Sequence, residues 1–322
     1  MNIHAIILNY KKKDLTIECI NSLKKCKLLS DLKLHLLIVD NDSGDGIERA
    51  VRTTYTDVEF LQTGANLGYT GGNNAGIRWL LEKNEEIQPE IVPQQKTESN
   101  YILILNNDTY FHENFLIELA SAAKHHSKAG IIAPKIYFTH DSLPNPIYDQ
   151  NKQEYTLKEN EEVIWFAGGK FDWDNIIGSH RGVDQVDHNQ FNQEEQIEYA
   201  TGCALLIPFS VIKKANGFDQ KYFMYYEDVD LNTRIKKLGY EIWYAPRAIM
   251  WHSNAKSSGV GSPLQDYFST RNRLLFAFKF AKPRTKLALL RESLRFRTNP
   301  VKWKAVKDFI LLKFEKGTFD IK

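Results

Sequence analysis

Apolar residues fall in short runs that end on polar side chains, and this figure recurs along the first half of the chain. Residues 3–8 form an apolar, strand-forming run that stops at Asn9-Tyr10, and residues 34–39 form a second that stops at Asp40-Asn41-Asp42-Ser43-Gly44. Between them Leu15, Cys19, Leu23 and Cys26 recur on one face of a helix predicted over 14–29. A short helix over 45–54 and a strand over 58–61 follow. This alternation predicts an α/β domain whose mostly parallel sheet is covered on both faces. The sharpest change comes where Tyr101-Ile102-Leu103-Ile104-Leu105 runs into Asn106-Asn107-Asp108. Ligand sites in open α/β sheets lie at such strand ends, which makes Asp108 the first candidate functional residue. The alternative is a turn in which these side chains cap their own backbone.

The stretch Asn66-Leu67-Gly68-Tyr69-Thr70-Gly71-Gly72-Asn73-Asn74-Ala75-Gly76 reads as a loop before a helix that starts at Ile77. Its glycines permit close approach of a bound group, and a helix starting there aims N–H groups at an anion. The spacing matches neither a P-loop nor the dinucleotide fingerprint, so a solvent loop and a nucleotide loop fit equally well. Polar stretches over 82–99, 139–162 and 180–195 read as surface insertions, with His188 a surface residue in the last. Between them fall a helix over 113–126, a strand over 129–137 and a strand with a glycine turn over 163–172; another strand covers 198–208. Glu227-Asp228-Val229-Asp230 then opens a helix that ends at Gly239. Carboxylates at a helix start complement its dipole, but the preceding Tyr222-Phe223-Met224-Tyr225-Tyr226 points to a walled cleft in which a carboxylate acts as a base. A strand over 241–244 leads through Pro246 to an apolar stretch ending at His252, a candidate ligand for a metal held by Asp108.

At 322 residues the chain is long enough for one α/β domain with an appendage, and its composition is that of an ordinary globular protein. The net charge of +2 conceals an asymmetry: residues 279–316 hold twelve Lys and Arg against Glu292, Asp308 and Glu315. Interleaved with Phe278, Phe280, Trp303 and Phe309, these cations form either a basic amphipathic surface for anionic lipid or helices packed on the domain or in a homodimer. Nucleic acid is not an expected partner. Cys19, Cys26 and Cys203 lack the spacing of a zinc knuckle or disulfide framework. The N-terminal residues enter a strand without a signal-peptide pattern, and no apolar run approaches the ~18 residues of a membrane span. A cytoplasmic protein is expected, any membrane contact being peripheral at the inner face.

Taken as an ordered set, these motifs resemble the inverting glycosyltransferases of family 2, in their rhamnosyltransferase-like branch. The resemblance spans residues 3–275. It rests on Asn9-Tyr10, Asp40-Asn41-Asp42-Ser43, the stretch from Asn66 to Asn73, Asn106-Asn107-Asp108, Gly217-Phe218-Asp219, Glu227-Asp228-Val229-Asp230-Leu231 with Arg234, and His252. It implies the GT-A fold, with a catalytic domain over 1–265, split near 135 into nucleotide-sugar and acceptor parts, and a helical basic extension over 266–322. It also implies that Asn9, Asp40, Asn66, Gly68, Gly72 and Asn73 bind the nucleotide, with Asn106 and Asn107 beside the donor and Arg271 or Arg273 near its diphosphate. Asn106 stands where the family's Asp-x-Asp motif has its first Asp, leaving Asp108, with His252, to contact a divalent cation, Mn²⁺ or Mg²⁺. By the same resemblance Asp228 is the catalytic base, Trp165, Gly168, Gly169, Thr201, Gly202 and Glu227 border sugar and acceptor, and Asp230 and Arg234 support them. The implied substrates are a dTDP-, UDP- or GDP-linked sugar, rhamnose foremost, and a saccharide or lipid-linked saccharide acceptor of the cell envelope. Two readings compete. A sugar-nucleotide nucleotidyltransferase needs a glycine-rich triphosphate loop after the first strand, which this chain lacks, and an inactive carbohydrate-binding subunit has no need of both Asp108 and Asp228.

Overall fold

The structure, a computed structural model, describes residues 1–87, 100–253 and 261–321. Its first half runs β1 (Asn2–Asn9), α1 (Lys13–Lys24), β2 (Lys33–Asp40), α2 (Ile47–Thr54), β3 (Val58–Gln62), α3 (Gly68–Ile87), β4 (Asn100–Asn106), β5 (Thr109–Phe111), α4 (Phe115–His125) and β6 (Ala129–Phe138). Then come β7 (Ile164–Phe166), β8 (Gly169–Asp172), β9 (Ile177–His180), β10 (Glu195–Gln196), β11 (Ala204–Pro208), α5 (Phe209–Ala215), α6 (Glu227–Lys237) and β12 (Glu241–His252). Helices α7 (Pro263–Phe280), α8 (Pro283–Ser293) and α9 (Pro300–Ile310) form the C-terminal extension.

One sheet in the order β10-β12-β6-β11-β4-β1-β2-β3 crosses the molecule. Its β4-β1-β2-β3 half is parallel, β6 and β12 are parallel, and β11 enters antiparallel between β4 and β6. Apolar side chains from the central strands and from α1, α4 and α5 bury both faces, which explains why β1, β4 and β6 read as nearly unbroken apolar runs. The register aligns Leu8 with Asn106 and Asn9 with Asp40. Three strands therefore end together, and their polar termini face one edge of the sheet. This is the GT-A architecture: a Rossmann-like, mostly parallel sheet flanked by helices, with a helical extension.

The glycine-rich stretch differs most from its sequence reading. Only Asn66 and Leu67 lie outside a helix; α3 begins at Gly68 and runs through the rest. A Cβ on Gly72 would lie 2.4 Å from Leu8, and one on Gly76 would lie 2.9 Å from Val39 and 3.1 Å from Ile6. Spaced four apart on one helix face, these glycines let α3 lie directly on β1 and β2. The helix continues through 82–87, and the rest of the polar insertion, 88–99, lies outside the described residues, as do residues 254–260 after His252.

Other boundaries shift for local reasons. Helix α1 stops at Lys24, short of 29. The strand read over 163–172 is broken at Gly168, whose φ of +105 turns the chain, so β8 pairs with β9 as a separate hairpin. Of 198–208 only Ala204–Pro208 is strand. The two pieces read over 241–252 are one strand, β12, whose register shift between Ala245 and Ile249 accommodates Pro246. The extension is part of the globule: Tyr267, Phe268, Leu274, Phe276 and Ala277 of α7 are buried, and they pack with Tyr222, Phe223, Val306 and Phe309 among others.

Candidate active site

The polar strand ends are tied into one network. The Asn107 amide donates to Thr16 Oγ1 at 2.9 Å, Thr16 donates to Asn9 Oδ1 at 2.7 Å, and Asn9 Nδ2 donates to Asp40 Oδ1 and to Ser43 Oγ, both at 2.8 Å. Asn9 and Asp40 are buried and already engaged by these partners. They hold the ends of β1, β2 and β4 in mutual register and lie behind the cleft wall. Asn41, next to Asp40, reaches the cleft instead and donates to Asn66 Oδ1 and to the Gly68 carbonyl, both at 3.1 Å.

Asp108 lies just beyond β4, its backbone carbonyl accepting the Ser253 N–H at 2.9 Å. That bond brings the end of β12 alongside and sets His252 Nε2 at 3.2 Å from Asp108 Oδ1, with both residues almost fully buried. The Trp165 ring meets His252 nearly edge-on, with centroids 4.6 Å apart. One carboxylate and one imidazole at the floor of a cleft fit a divalent cation that fills its remaining positions with water and substrate phosphate oxygens. Among the described residues no three His, Cys, Asp or Glu side chains cluster to hold a metal by themselves. Asp108 and His252 would hold such an ion, and its positive charge would offset negative charge developing beside it.

Glu227 and Asp228 begin α6 after an unusual approach. Phe223, Tyr225 and Tyr226 have φ of +67°, +66° and +71°, strained values for bulky side chains. The loop is held from α7. Asn272 Nδ2 donates to the carbonyls of Tyr222, Met224 and Tyr225 at 2.7–2.9 Å, and Arg271 reaches the carbonyls of Tyr222, Lys221 and Glu315. Arg271, expected near the diphosphate, is placed elsewhere here. Its guanidinium is fully buried and engaged with backbone, and it lies outside the cleft. Arg273 likewise bonds the Asn175 carbonyl and Glu292. Asp230 is buried beneath the loop, accepting from Tyr222, Arg234 and Lys279, while Arg234 also donates to the carbonyls of Ala215 and Gly217.

Asp228 Oδ2 accepts the Gly202 N–H at 3.0 Å and Oδ1 the Val229 N–H at 2.8 Å. Asn232 fixes that arrangement by bonding both the N–H and the carbonyl of Ala200 at 2.9 Å. Burial raises the Asp228 carboxyl above its ordinary pKa, and the two N–H donors pull it partly back. Glu227 is pushed well up, first by burial and then by the Asp228 and Asp230 charges. The folded chain therefore keeps the Glu227 proton to a higher pH than the unfolded chain does. Stability falls as pH rises from the ordinary glutamate value toward the folded one. Glu227→Gln removes this loss, so its Tm should exceed that of the parent near pH 8, with the gap closing near pH 4.5. Thermal melts at the two pH values check this; an unchanged gap would refute it.

One cleft of about 950 Å³ joins these groups. Asn66, Gly68, Asn106, Asn107, Asp108, Trp165, Thr201, Gly202, Glu227, Asp228 and His252 all line it. Gly72, Asn73, Gly168, Gly169, Asp230 and Arg234 do not. Gly72 seats α3 on the sheet, the Asn73 amide bonds the Tyr69 carbonyl, and Gly169 makes room for Tyr199, whose carbonyl oxygen would lie 2.4 Å from an added Cβ. The sequence reading missed Lys11 and Lys12, which line the cleft one turn beyond β1, and His180 on the β8–β9 hairpin. A basic triplet directly after a strand end was a visible signal. His180 had none, because only the hairpin brings it to Trp165, 4.5 Å away between centroids. Burial lowers its pKa to about 4, and Nδ1 meets the Trp165 carbonyl at 3.1 Å, so the ring is neutral with Nε2 an acceptor.

Comparison with known proteins gives the family and the fold. N-acetylglucosaminyl-diphospho-decaprenol L-rhamnosyltransferase of Mycobacterium tuberculosis H37Rv is 28% identical over 239 residues, which cover 74% of this chain and 72% of that protein. The crystal structure of GalNAc-T7 with UDP, GalNAc and Mn²⁺ superposes with a TM-score of 0.55 at 11% identity, over 85% of this chain; the chain spans about half of that longer protein, 51%. The mannosyltransferase PcManGT of Pyrobaculum calidifontis, in complex with GDP-Man and Mn²⁺, gives 0.51 at 14% identity over 99% of this chain and 76% of its own. Both solved structures share the fold. The family model described as glycosyl transferase family 2 matches residues 5–186, more than half of the chain, and covers the ends of β1, β2 and β4 but not the end of β12 that carries His252. The chain belongs to glycosyl transferase family 2.

Proposed function

We propose that this glycosyltransferase, which draws on a nucleotide-sugar donor, transfers the sugar with inversion to a hydroxyl of a saccharide or lipid-linked saccharide. The observation that carries the reading is a single cleft lined by both Asp108 with His252, a pair that would hold a cation, and a carboxylate with raised pKa, Asp228. In a single displacement the acceptor oxygen attacks the anomeric carbon and passes its proton to Asp228. The bond to the diphosphate oxygen breaks with its electron pair, and no covalent enzyme intermediate forms. A raised pKa makes Asp228 a stronger base than an exposed aspartate. Lys11 and Lys12 would meet the donor's phosphates, and Trp165 with His180 would meet the sugar. Similarity to an L-rhamnosyltransferase supports rhamnose as the first sugar to test, on dTDP before UDP or GDP.

The test is a calorimetric screen of nucleotide sugars with Mn²⁺, Mg²⁺ or EDTA, followed by NMR of the product formed on a saccharide acceptor. One donor should bind selectively in the presence of cation, and the product should carry the anomeric configuration opposite to the donor. A retained configuration would exclude single displacement.

A further inference from the structure

We infer that the outward faces of α8 and α9 form a docking surface for an anionic lipid bilayer. The inward faces are accounted for, since Leu289 of α8 and Val306 and Phe309 of α9 pack with Leu274–Ala277 in a shared core. On α8 the outward positions are Arg284, Leu287 and Arg291, and the stripe continues onto Leu294 and Arg295 of the following turn. On α9 they are Lys304, Lys307 and Ile310, followed by Leu311, Leu312 and Lys313. The aliphatic members stand well out: Leu287 is 50% exposed, Ile310 59%, Leu311 60% and Leu312 72%. Neither stripe contains a carboxylate. Of the nearby acids, Glu292 is paired with Arg273, Asp308 is buried against Tyr267 and Thr318, and Glu315 is exposed just beyond the second stripe.

Phe278 of α7 adds an exposed aromatic ring beside the two helices. It is 39% exposed, its ring lies 5.0 Å from that of Phe309 on α9, and Lys286 of α8 sits 5.8 Å from its centre. Leu312 also holds a left-handed backbone, φ +56°, a costly conformation for a leucine held out in solvent. Aliphatic tips set among cations match the boundary between acyl chains and anionic headgroups, where the tips enter the apolar layer and the cations stay at the phosphates. A second copy is a poor occupant, because a self-complementary contact would press Arg and Lys against Arg and Lys. Among the described residues no helix is long and apolar enough to cross a membrane, so the contact lies along the surface.

Deleting 282–322 would strip Leu289, Val306 and Phe309 from the core, so exposed point substitutions are the proper test. The full chain should co-sediment with vesicles of phosphatidylcholine and about one third phosphatidylglycerol at least about tenfold more tightly than with phosphatidylcholine alone, and high salt should weaken the binding. Leu311→Glu/Leu312→Glu and, separately, Arg284→Glu/Arg291→Glu should each reduce binding about tenfold or more with Tm unchanged. Leu311→Gln/Leu312→Gln serves if the charged pair unfolds the chain. Equal binding to both vesicles, binding to neither, or binding unaffected by all these variants would overturn the proposal. So would a concentration-dependent dimer dispersed by Leu311→Glu/Leu312→Glu, or tighter capture by duplex DNA than by anionic vesicles. The vesicles carry neither donor nor acceptor, so the result is independent of the reaction proposed above.

Discussion

Asp228→Asn should lower kcat by about three orders of magnitude while leaving donor affinity nearly unchanged, within the range that loss of a general base produces. The substitution keeps the shape of the side chain, and Asn can still accept one of the two N–H groups, from Gly202 or Val229, that the carboxylate now accepts. It has no oxygen able to take up the acceptor's proton. Single-turnover rates at saturating donor, with donor affinity measured by calorimetry, separate the two effects. Turnover above about a tenth of the parent rate would be too high for the loss of a base and would remove Asp228 from the mechanism. The parent enzyme should lose activity as pH falls through the raised pKa of Asp228, because protonation silences the base. The variant's residual rate should be flat across the same interval.

Asp108→Ala should abolish the cation dependence of donor binding, weakening it by about a hundredfold, a typical cost for losing a charged group at a site where charge is stabilised. The parent in EDTA should bind the donor as the variant does. Calorimetry with Mn²⁺ and the nucleoside diphosphate alone gives a readout that needs no turnover. Because Asp108 is buried against His252, Tm must be measured alongside. Asp108→Asn, which keeps the volume, guards against a trivial loss of fold. His252→Ala should have a smaller effect in the same direction, since it leaves the carboxylate in place. Cation-dependent binding that survives in Asp108→Ala would dismiss this pair as the metal site.

The parts of the site that were legible in sequence share one physical cause. Asn106-Asn107-Asp108 and His252 stand where buried strands stop, and a strand that turns abruptly polar at its carboxyl end announces itself without any knowledge of its neighbours. Asp228 was legible for a related reason, because acidic residues open a helix after a dense aromatic run. What was misread depended on facing surfaces. Gly68 to Gly76 offers the same glycines to a loop and to a helix pressed on a sheet, and only Leu8, Ile6 and Val39 opposite decide between them. Arg271 looks like a phosphate ligand until the carbonyls of residues 221, 222 and 315 are seen to surround it. His180 reaches the cleft through a hairpin that no periodicity within its polar stretch foretells.

Asn272 places a single amide nitrogen against three carbonyls of the strained loop that leads to Glu227 and Asp228. That amide offsets part of the cost of three residues with positive φ, and it lies in the C-terminal helices. Residues 222–226 and 271–272 therefore form one hydrogen-bonded unit, so that a change at Asn272 is felt at the approach to α6. The helical tail is not a tethered module; it supplies the other half of the loop that leads into α6.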